Sequence, residues 1–264
     1  MDEVLISIVT INYNHKAGLK NTLNSLANQT CKNFQLIIID GNSNDGSKEI
    51  IANYSDIIDY SISEQDNGIY FAMNKGIKIA KCDFLIFLNS GDKLFSNNSI
   101  EKLNLNLLKK DSGFFLNAII HNDKISHRSP KVFNKKYYKI NNLFIPNHQA
   151  VIFPKTFYKK NFYETKYKVS SDVEYIFRLA KLHKLRYIDL DFVFFELGGV
   201  SNNFSNFSKT LNHLFEALQI NMKYQPFKIY LYLYIPLKFI SKYFLFNIFK
   251  NKFHYITQKF NVFK

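Results

Sequence analysis

Three apolar runs of strand length each end in polar groups able to hold a ligand. Leu5-Ile6-Ser7-Ile8-Val9-Thr10-Ile11 runs into Asn12-Tyr13-Asn14-His15, Phe34-Gln35-Leu36-Ile37-Ile38-Ile39 into Asp40-Gly41, and Phe84-Leu85-Ile86-Phe87-Leu88 into Asn89-Ser90-Gly91-Asp92. Continuous apolar runs suit strands buried on both faces of a largely parallel sheet. A carboxylate just past the carboxyl end of such a strand lies in the crevice where open α/β sheets bind ligands. Asp92 is therefore the first site candidate, although Asn-Ser-Gly-Asp is also the composition of an ordinary turn. Crevices of this kind most often receive nucleotides. Neither G-x-G-x-x-G nor G-x-x-x-x-G-K-[ST] is present to cradle the phosphates. A divalent cation on Asp92 would do so, because Mg2+ and Mn2+ bind through one or two carboxylates plus substrate phosphate oxygens.

The elements that position these groups alternate. Residues 18–28 carry Leu19, Leu23 and Leu26 at helical spacing, 47–54 form a shorter helix, and 57–62 a third strand. A turn-rich loop over 63–68 leads to a helix over 69–80, and the strand ending at Asp92 follows. This alternation predicts a right-handed βαβ series with Asn12, Asp40 and Asp92 along one edge of a parallel sheet. Further on, a helix is expected over 99–110, a strand over 113–120, and a polar, basic hairpin or loop over 121–139. His148 precedes an apolar strand. Asp172 and Glu174 open a helix over 175–184 that Ser170 or Ser171 can cap, and acids in a first turn are favourable by the helix dipole alone. A strand over 185–195 leads to a glycine turn, Glu196-Leu197-Gly198-Gly199-Val200-Ser201, and a helix over 207–222 follows.

With 264 residues, 47% hydrophobic and 17% aromatic, the chain can bury a large core and is not disordered. Two cysteines, Cys31 and Cys82, are too few for a disulfide framework, which favours a reducing cytosol. No signal peptide is expected, nor an uncharged apolar stretch of the roughly 20 residues a spanning helix needs. The net charge of +14 is concentrated late, since residues 217–264 contain no Asp or Glu. After Pro226, aromatic and aliphatic residues interleave with lysines over 227–234 and 236–249, which suits helices lying in an anionic membrane interface or packed on the main domain.

The first 95 residues resemble the nucleotide-sugar half of family 2 glycosyltransferases with the GT-A fold, most of all bacterial enzymes that build surface polysaccharides. The motifs that match, in order, are Ser7-Ile8-Val9-Thr10-Ile11-Asn12-Tyr13-Asn14, Ile39-Asp40-Gly41-Asn42-Ser43-Asn44-Asp45-Gly46-Ser47, Ser63-Glu64-Gln65-Asp66-Asn67-Gly68-Ile69-Tyr70 with Met73-Asn74-Lys75-Gly76, and Leu88-Asn89-Ser90-Gly91-Asp92. The resemblance implies an α/β GT-A (Rossmann-like) fold: a mostly parallel central sheet flanked by helices, with a C-terminal basic aromatic helical extension. Its nucleotide-sugar half would span 1–95, its acceptor half 96–205, and the extension 206–264.

Carried over position by position, the resemblance places Asp40 on the edge of uracil or another base. Thr10, Asn12 and Asn14 would line the nucleoside, with Ser43 in the same donor-binding group. Asp66, Gly68 and Asn74 would lie near the ribose and diphosphate, with Lys75 acting electrostatically. Asp92 would coordinate Mn2+ or Mg2+ as the last acid of a degenerate D-x-D motif, with Ser90 in place of the first acid and Gly91 beside it. His148 would face the metal or the acceptor, and Asp172 would be the catalytic base, with Glu174 as second choice. Phe71 stands where an acid is expected, and Met73 and Phe71 also suit a plain helix core. The glycine turn at 198–201 resembles a flap over the donor. The implied activity is inverting, metal-dependent transfer of a hexosyl or N-acetylhexosaminyl group from a nucleotide-diphosphate sugar, UDP favoured. The implied acceptor is a glycan or lipid-linked oligosaccharide at the cytoplasmic face of the membrane. A non-catalytic nucleotide-sugar binder is the alternative. Nucleic acid is disfavoured, because the basic tail is strongly apolar and holds no recognition motif.

Overall fold

Every residue of the first strand is buried, because both of its faces are covered. In the computed structural model, which describes residues 5–122, 125–130, 137–138, 144–196 and 207–249, that strand is β1 (Ile6–Asn12), followed by α1 (Lys16–Ala27), β2 (Phe34–Asp40), α2 (Ser47–Asn53), β3 (Tyr60–Ser63), α3 (Ile69–Ile79) and β4 (Phe84–Phe87). Val9 and Ile11 pack with Ile37, Ile39, Met73 and Ile77 on the α3 side. Ile6 and Ile8 pack with Leu19, Leu23, Leu26, Leu36 and Ile38 on the α1 side. The approach of α3 to the sheet is close: a Cβ on Gly76 would lie 2.4 Å from Val9 Cγ1, so only glycine allows it.

The second half contains β5 (Lys93–Leu94), α4 (Ser99–Leu103), β6 (Gly113–Asn122), β7 (Ile125–Ser129), β8 (Tyr137–Tyr138), β9 (Val151–Pro154), α5 (Lys155–Tyr158), α6 (Ser171–Leu182) and β10 (Leu185–Glu196). The described strands form one sheet in the order β3-β2-β1-β4-β9-β6-β10-β5, with β7 on β6 and β8 on β10. β3, β2, β1 and β4 are parallel. β9 runs antiparallel to both β4 and β6, and joins the two halves. β6 and β10 are parallel, with register shifts between Tyr187 and Val193. β2 lies on one side of β1 and β4 on the other, so the switch point of the sheet falls at the carboxyl ends of β1 and β4. A crevice is expected there.

Three expected elements differ. The third strand starts at Tyr60 because Ser55–Ile57 forms a 3-10 turn. The helix from Ser99 stops at Leu103, where Asn104 takes the left-handed conformation. The tail forms α7 (Phe207–Tyr224) and a single helix α8 (Tyr230–Phe249) with Pro236 inside it. Proline removes one helical hydrogen bond, but Ile235 before it and Phe239 after it pack with Leu211, Leu214 and Leu218 of α7. Residues 197–206, which hold the glycine turn, lie outside the described residues, as do 250–264.

Candidate active site

A cleft of about 760 Å³ opens at that switch point. Asn12 at the end of β1 and Tyr13 after it, Gly41 after β2, Asn89 to Asp92 after β4, and Gln65, Asp66, Gly68, Ile69 and Ala72 around the start of α3 contribute to its walls. The carboxyl ends of β1 and β2 are level, with Asn12 paired to Asp40 in register. Gly91 has φ +102° and lies beneath the His15 ring, where a Cβ would come within 3.1 Å of His15 Cε1. Both facts call for glycine there. His15 Nδ1 lies 3.2 Å from the Ser90 carbonyl, and Ser90 Oγ donates to Asn12 Oδ1 at 2.8 Å. Thr22 of α1 secures the turn, its hydroxyl donating to the Asp92 carbonyl and accepting from the Gly91 amide.

Asp92 is only 5% exposed and lies in the cleft wall. Next to it, Asn89 Oδ1 is buried without a hydrogen-bond donor. Hard oxygen donors of this type fit Mg2+ or Mn2+ better than a soft metal. Among the described residues, no three His, Cys, Asp or Glu side chains converge to cage an ion. The fit is therefore to a cation that draws its other ligands from a bound diphosphate and water, the usual arrangement for Mg2+.

Behind the cleft, Asp40 is fully buried and accepts four hydrogen bonds. Asn12 Nδ2 and Ser43 Oγ donate to Oδ1 at 2.7 and 2.6 Å, and the Ser43 amide and Ser63 Oγ donate to Oδ2. Burial pushes its carboxyl up, but these hydrogen bonds outweigh it and hold the group below its ordinary value. A carboxylate has about four acceptor positions, and here all are filled. Asp40 thus organises the strand ends, and a base edge could bind it only by displacing one of these donors.

At the start of α6, Asp172 is not among the residues that line the cleft; its Oδ1 accepts from the Val173 amide at 2.9 Å and from Tyr70 Oη at 3.3 Å. Tyr70 directly follows Ile69, which lines the cleft. Burial raises the Asp172 carboxyl to about 6, opposed by those two hydrogen bonds and reinforced by the nearby charge of Glu216. Such a group is ionised at neutral pH and remains basic enough to accept a proton, as a general base requires.

The model of glycosyl transferase family 2 matches residues 7–165, more than half of the chain. The chain belongs to this family. An uncharacterized glycosyltransferase of Mycobacterium tuberculosis, MT1564, is 29% identical over 182 residues, 66% of this chain and 68% of that protein. The putative teichuronic acid biosynthesis glycosyltransferase TuaG of Bacillus subtilis is 31% identical over 101 residues, 37% of this chain and 40% of TuaG. The solved structure of S. aureus TarS 1–349 in complex with UDP superposes with a TM-score of 0.62 at 17% identity, covering 81% of this chain and 65% of that one. A mannosyltransferase from Pyrobaculum calidifontis in complex with GDP-Man and Mn2+ gives 0.62 at 11% identity, covering 83% and 63%. The fold is GT-A, as expected.

In this transferase the expected site residues fall into three groups. Asn12, Asp66, Gly68, Ser90, Gly91 and Asp92 line the cleft. Ser43, Asn14 and Lys75 support it. Ser43 Oγ accepts from the Asn14 amide, Asn14 Oδ1 accepts from the Asn44 amide, and Lys75 pairs with Glu64 and with the buried Asp66. The third group departs from expectation. Thr10 is buried in the strand, away from the cleft lining. Asn74 exchanges two hydrogen bonds with the Tyr163 backbone, so it clamps α3 to that loop. His148 lies in an aromatic cluster with Phe87 and Phe153, its Nε2 against Tyr163 Oη, and burial lowers it to about 3. A neutral, enclosed imidazole faces neither metal nor acceptor. Its neighbour Gln149 lines the cleft instead.

Glu174, the second candidate base, is 0% exposed and bonded to Arg178 Nη2 at 2.7 Å, Lys223 Nζ at 2.8 Å and Tyr224 Oη at 2.6 Å. These bonds tie α6 to α7, and Glu174 is not among the residues that line the cleft. Tyr13, His15, Gln65, Asn89 and Phe195 reach the cleft without having been expected. Tyr13 and His15 flank Asn14 in the same strand-end loop, which was the available signal. Phe195 comes from β10, too far along the chain for local pattern to show it.

Proposed function

We propose that the protein is an inverting glycosyltransferase that moves a hexosyl or N-acetylhexosaminyl group from a UDP-sugar to a glycan or lipid-linked acceptor of the bacterial surface. The observation that carries this reading is the pairing of a switch-point cleft walled by Asp92 with a half-buried Asp172 carboxyl raised to about 6 beside it. UDP is favoured because TarS has been solved with UDP and with UDP-GlcNAc. A surface-polymer acceptor is favoured by TuaG and by a PGL/p-HBAD biosynthesis glycosyltransferase of Mycobacterium bovis, 30% identical over 102 residues.

The donor diphosphate lies against the Asn89–Asp92 turn and the amino end of α3, whose dipole favours negative charge. Asp172 takes the proton of the acceptor hydroxyl. That oxygen's electron pair forms the new bond to the anomeric carbon, and the old carbon–oxygen bond breaks with its pair passing to the departing nucleoside diphosphate. Mn2+ or Mg2+ held by Asp92 would supply positive charge for the leaving group. Asn12, Asp66 and Gly68 line the donor pocket, while Asp40, Ser43, Asn14 and Lys75 hold its walls in place. Residues 1–95 act as the donor half and 96–205 as the acceptor half.

No helix among the described residues is long and apolar enough to cross a membrane. The outward face of α8 nevertheless exposes Tyr230, Leu233, Leu237, Ile240, Phe244 and Ile248 at helical spacing. Lys238 and Lys242 lie one turn apart on the side of α8 towards His213 of α7, where burial lowers the pKa of both, so the outward face itself is apolar, and no acid follows Glu216 in the chain. This apolar face, on a basic tail, supports the reading of a peripheral enzyme at the cytoplasmic face of an anionic membrane, where lipid-linked acceptors are found.

The test is nucleotide release from a panel of UDP-, GDP- and TDP-sugars with Mn2+ or EDTA. Turnover of one donor, abolished by EDTA and lowered on the order of 10²-fold or more by Asp92→Ala, is the expected result. Donor binding without turnover under every condition would favour a non-catalytic binder.

A further inference from the structure

We infer that Glu216, on α7, is a positioning residue for Asp172, so that the C-terminal helical pair is a working part of the active site and not an appendage. The inference rests on the reading of Asp172 as base. Glu216 is the single acid in residues 207–264, and only 9% of it is exposed. Its Oε1 accepts from the Lys168 amide at 2.6 Å, and its Oε2 accepts from the Val169 and Ser170 amides at 3.0 and 2.8 Å. One carboxylate thus gathers three successive backbone N–H groups immediately before α6.

Ser170 is the N-cap of α6 but makes no side-chain capping bond, and its buried Oγ has no hydrogen-bond partner. A helix start normally takes its cap from a local side chain. Here Glu216 of another helix instead holds the amides of the three residues that lead into α6. Asp172 follows two residues later, so the path of this loop sets where its carboxyl stands. A second tie runs from the same helix: Lys223 and Tyr224 bond Glu174 in the first turn of α6. Lys223 also pairs with Glu164 of the preceding loop. α7 therefore fixes the amino end of α6 at two points.

The groups that bear on the Asp172 carboxyl are Tyr70 from α3, Tyr163 from the loop before α6, and Glu216 from α7. Glu216 is the carboxylate among them. Its charge opposes ionisation of Asp172 and adds to the effect of burial.

The experiment compares Glu216→Ala, Glu216→Gln and Asp172→Asn in the full chain, reading UDP binding, kcat and the pH profile of nucleotide release. Loss of the clamp in Glu216→Ala should lower kcat on the order of 10–100-fold, the scale of an ångström misplacement, with UDP binding unchanged. Glu216→Gln keeps an acceptor for the amides but removes the charge, so it should recover most of kcat and move the acid limb to lower pH. Wild-type kcat in folded Glu216→Ala would overturn the inference. So would an unmoved acid limb in Glu216→Gln, which decides the matter even if the alanine variant fails to fold. An active Asp172→Asn enzyme would instead remove the base reading itself, whatever the Glu216 variants do. A dead Asp172→Asn with unaffected Glu216 variants would remove only the present inference.

Discussion

Asp172 and Glu174 stand two residues apart in α6, and their surroundings give them different work. The Asp172 carboxyl takes one backbone amide and one tyrosine hydroxyl, with no cation in hydrogen-bond contact among the described residues. Glu174 is enclosed by Arg178, Lys223 and Tyr224. Replacing it leaves these donors without their acceptor, and breaking a buried pair on one side costs about 3 kcal/mol. Glu174→Gln should therefore lower the melting temperature by several degrees and, by loosening the second tie between α7 and α6, lower kcat of the folded fraction modestly while leaving the acid limb of its pH profile in place. A large fall in kcat at unchanged stability would restore Glu174 as a base candidate. Both acids could be read from sequence as first-turn residues, but not their partners, since Lys223 and Tyr224 lie about fifty positions away. The cleft residues Asn12 and Asp92 were legible because the end of a strand is a local feature. Asp40 ends β2, but four donors from three segments converge on its carboxylate, which no local pattern shows. At 148–149 a 3-10 turn over His148–Ala150 leaves the imidazole buried and Gln149 at the cleft, a one-residue difference that local pattern does not show.

At the scale of elements, the buried strands were the most legible parts, since continuous apolar runs have one good home in a doubly covered sheet. Helix ends were less so. Asn104 stops α4 through a left-handed backbone conformation that composition does not announce. Pro236 suggested two helices, and packing on α7 carries one helix through it. Apart from Lys238, Ser241, Lys242 and Asn247, α8 carries apolar and aromatic residues around its circumference; one side meets α7 and the other is exposed. A helix of that character requires a second covering surface. Leu233→Glu with Leu237→Glu should lower co-sedimentation with phosphatidylglycerol vesicles on the order of 10-fold or more, given the apolar area each leucine buries. Donor turnover in the absence of vesicles should be unchanged. Undiminished vesicle binding by this variant would rule out the outward face of α8 as the membrane contact.

Across the whole molecule, residues 5–95 fold locally and residues 96–196 by long-range pairing. The parallel strands β3, β2, β1 and β4 close within about ninety residues, and their fold was readable from the order of runs and loops. β9 then inserts between β4 and β6, and β10 returns to pair with β5 and β6, bringing Phe195 to the cleft. No local pattern encodes those pairings, and they decide what faces the donor across the crevice. The tail behaves in the same way. Its charge and apolar content were plain in sequence, but its contacts with the base helix come only from the fold. The central claim is that Asp172 accepts the acceptor's proton. The most direct measurement is the pH profile of nucleotide release from the best donor, with water as acceptor, for the wild type and Asp172→Asn. Below pH 6 the carboxyl is protonated and cannot act, so the wild-type rate should rise about tenfold per pH unit towards a plateau above that value. Asp172→Asn should lose on the order of 10²–10⁴-fold and show no such limb. A variant that keeps both the rate and the limb would contradict the assignment.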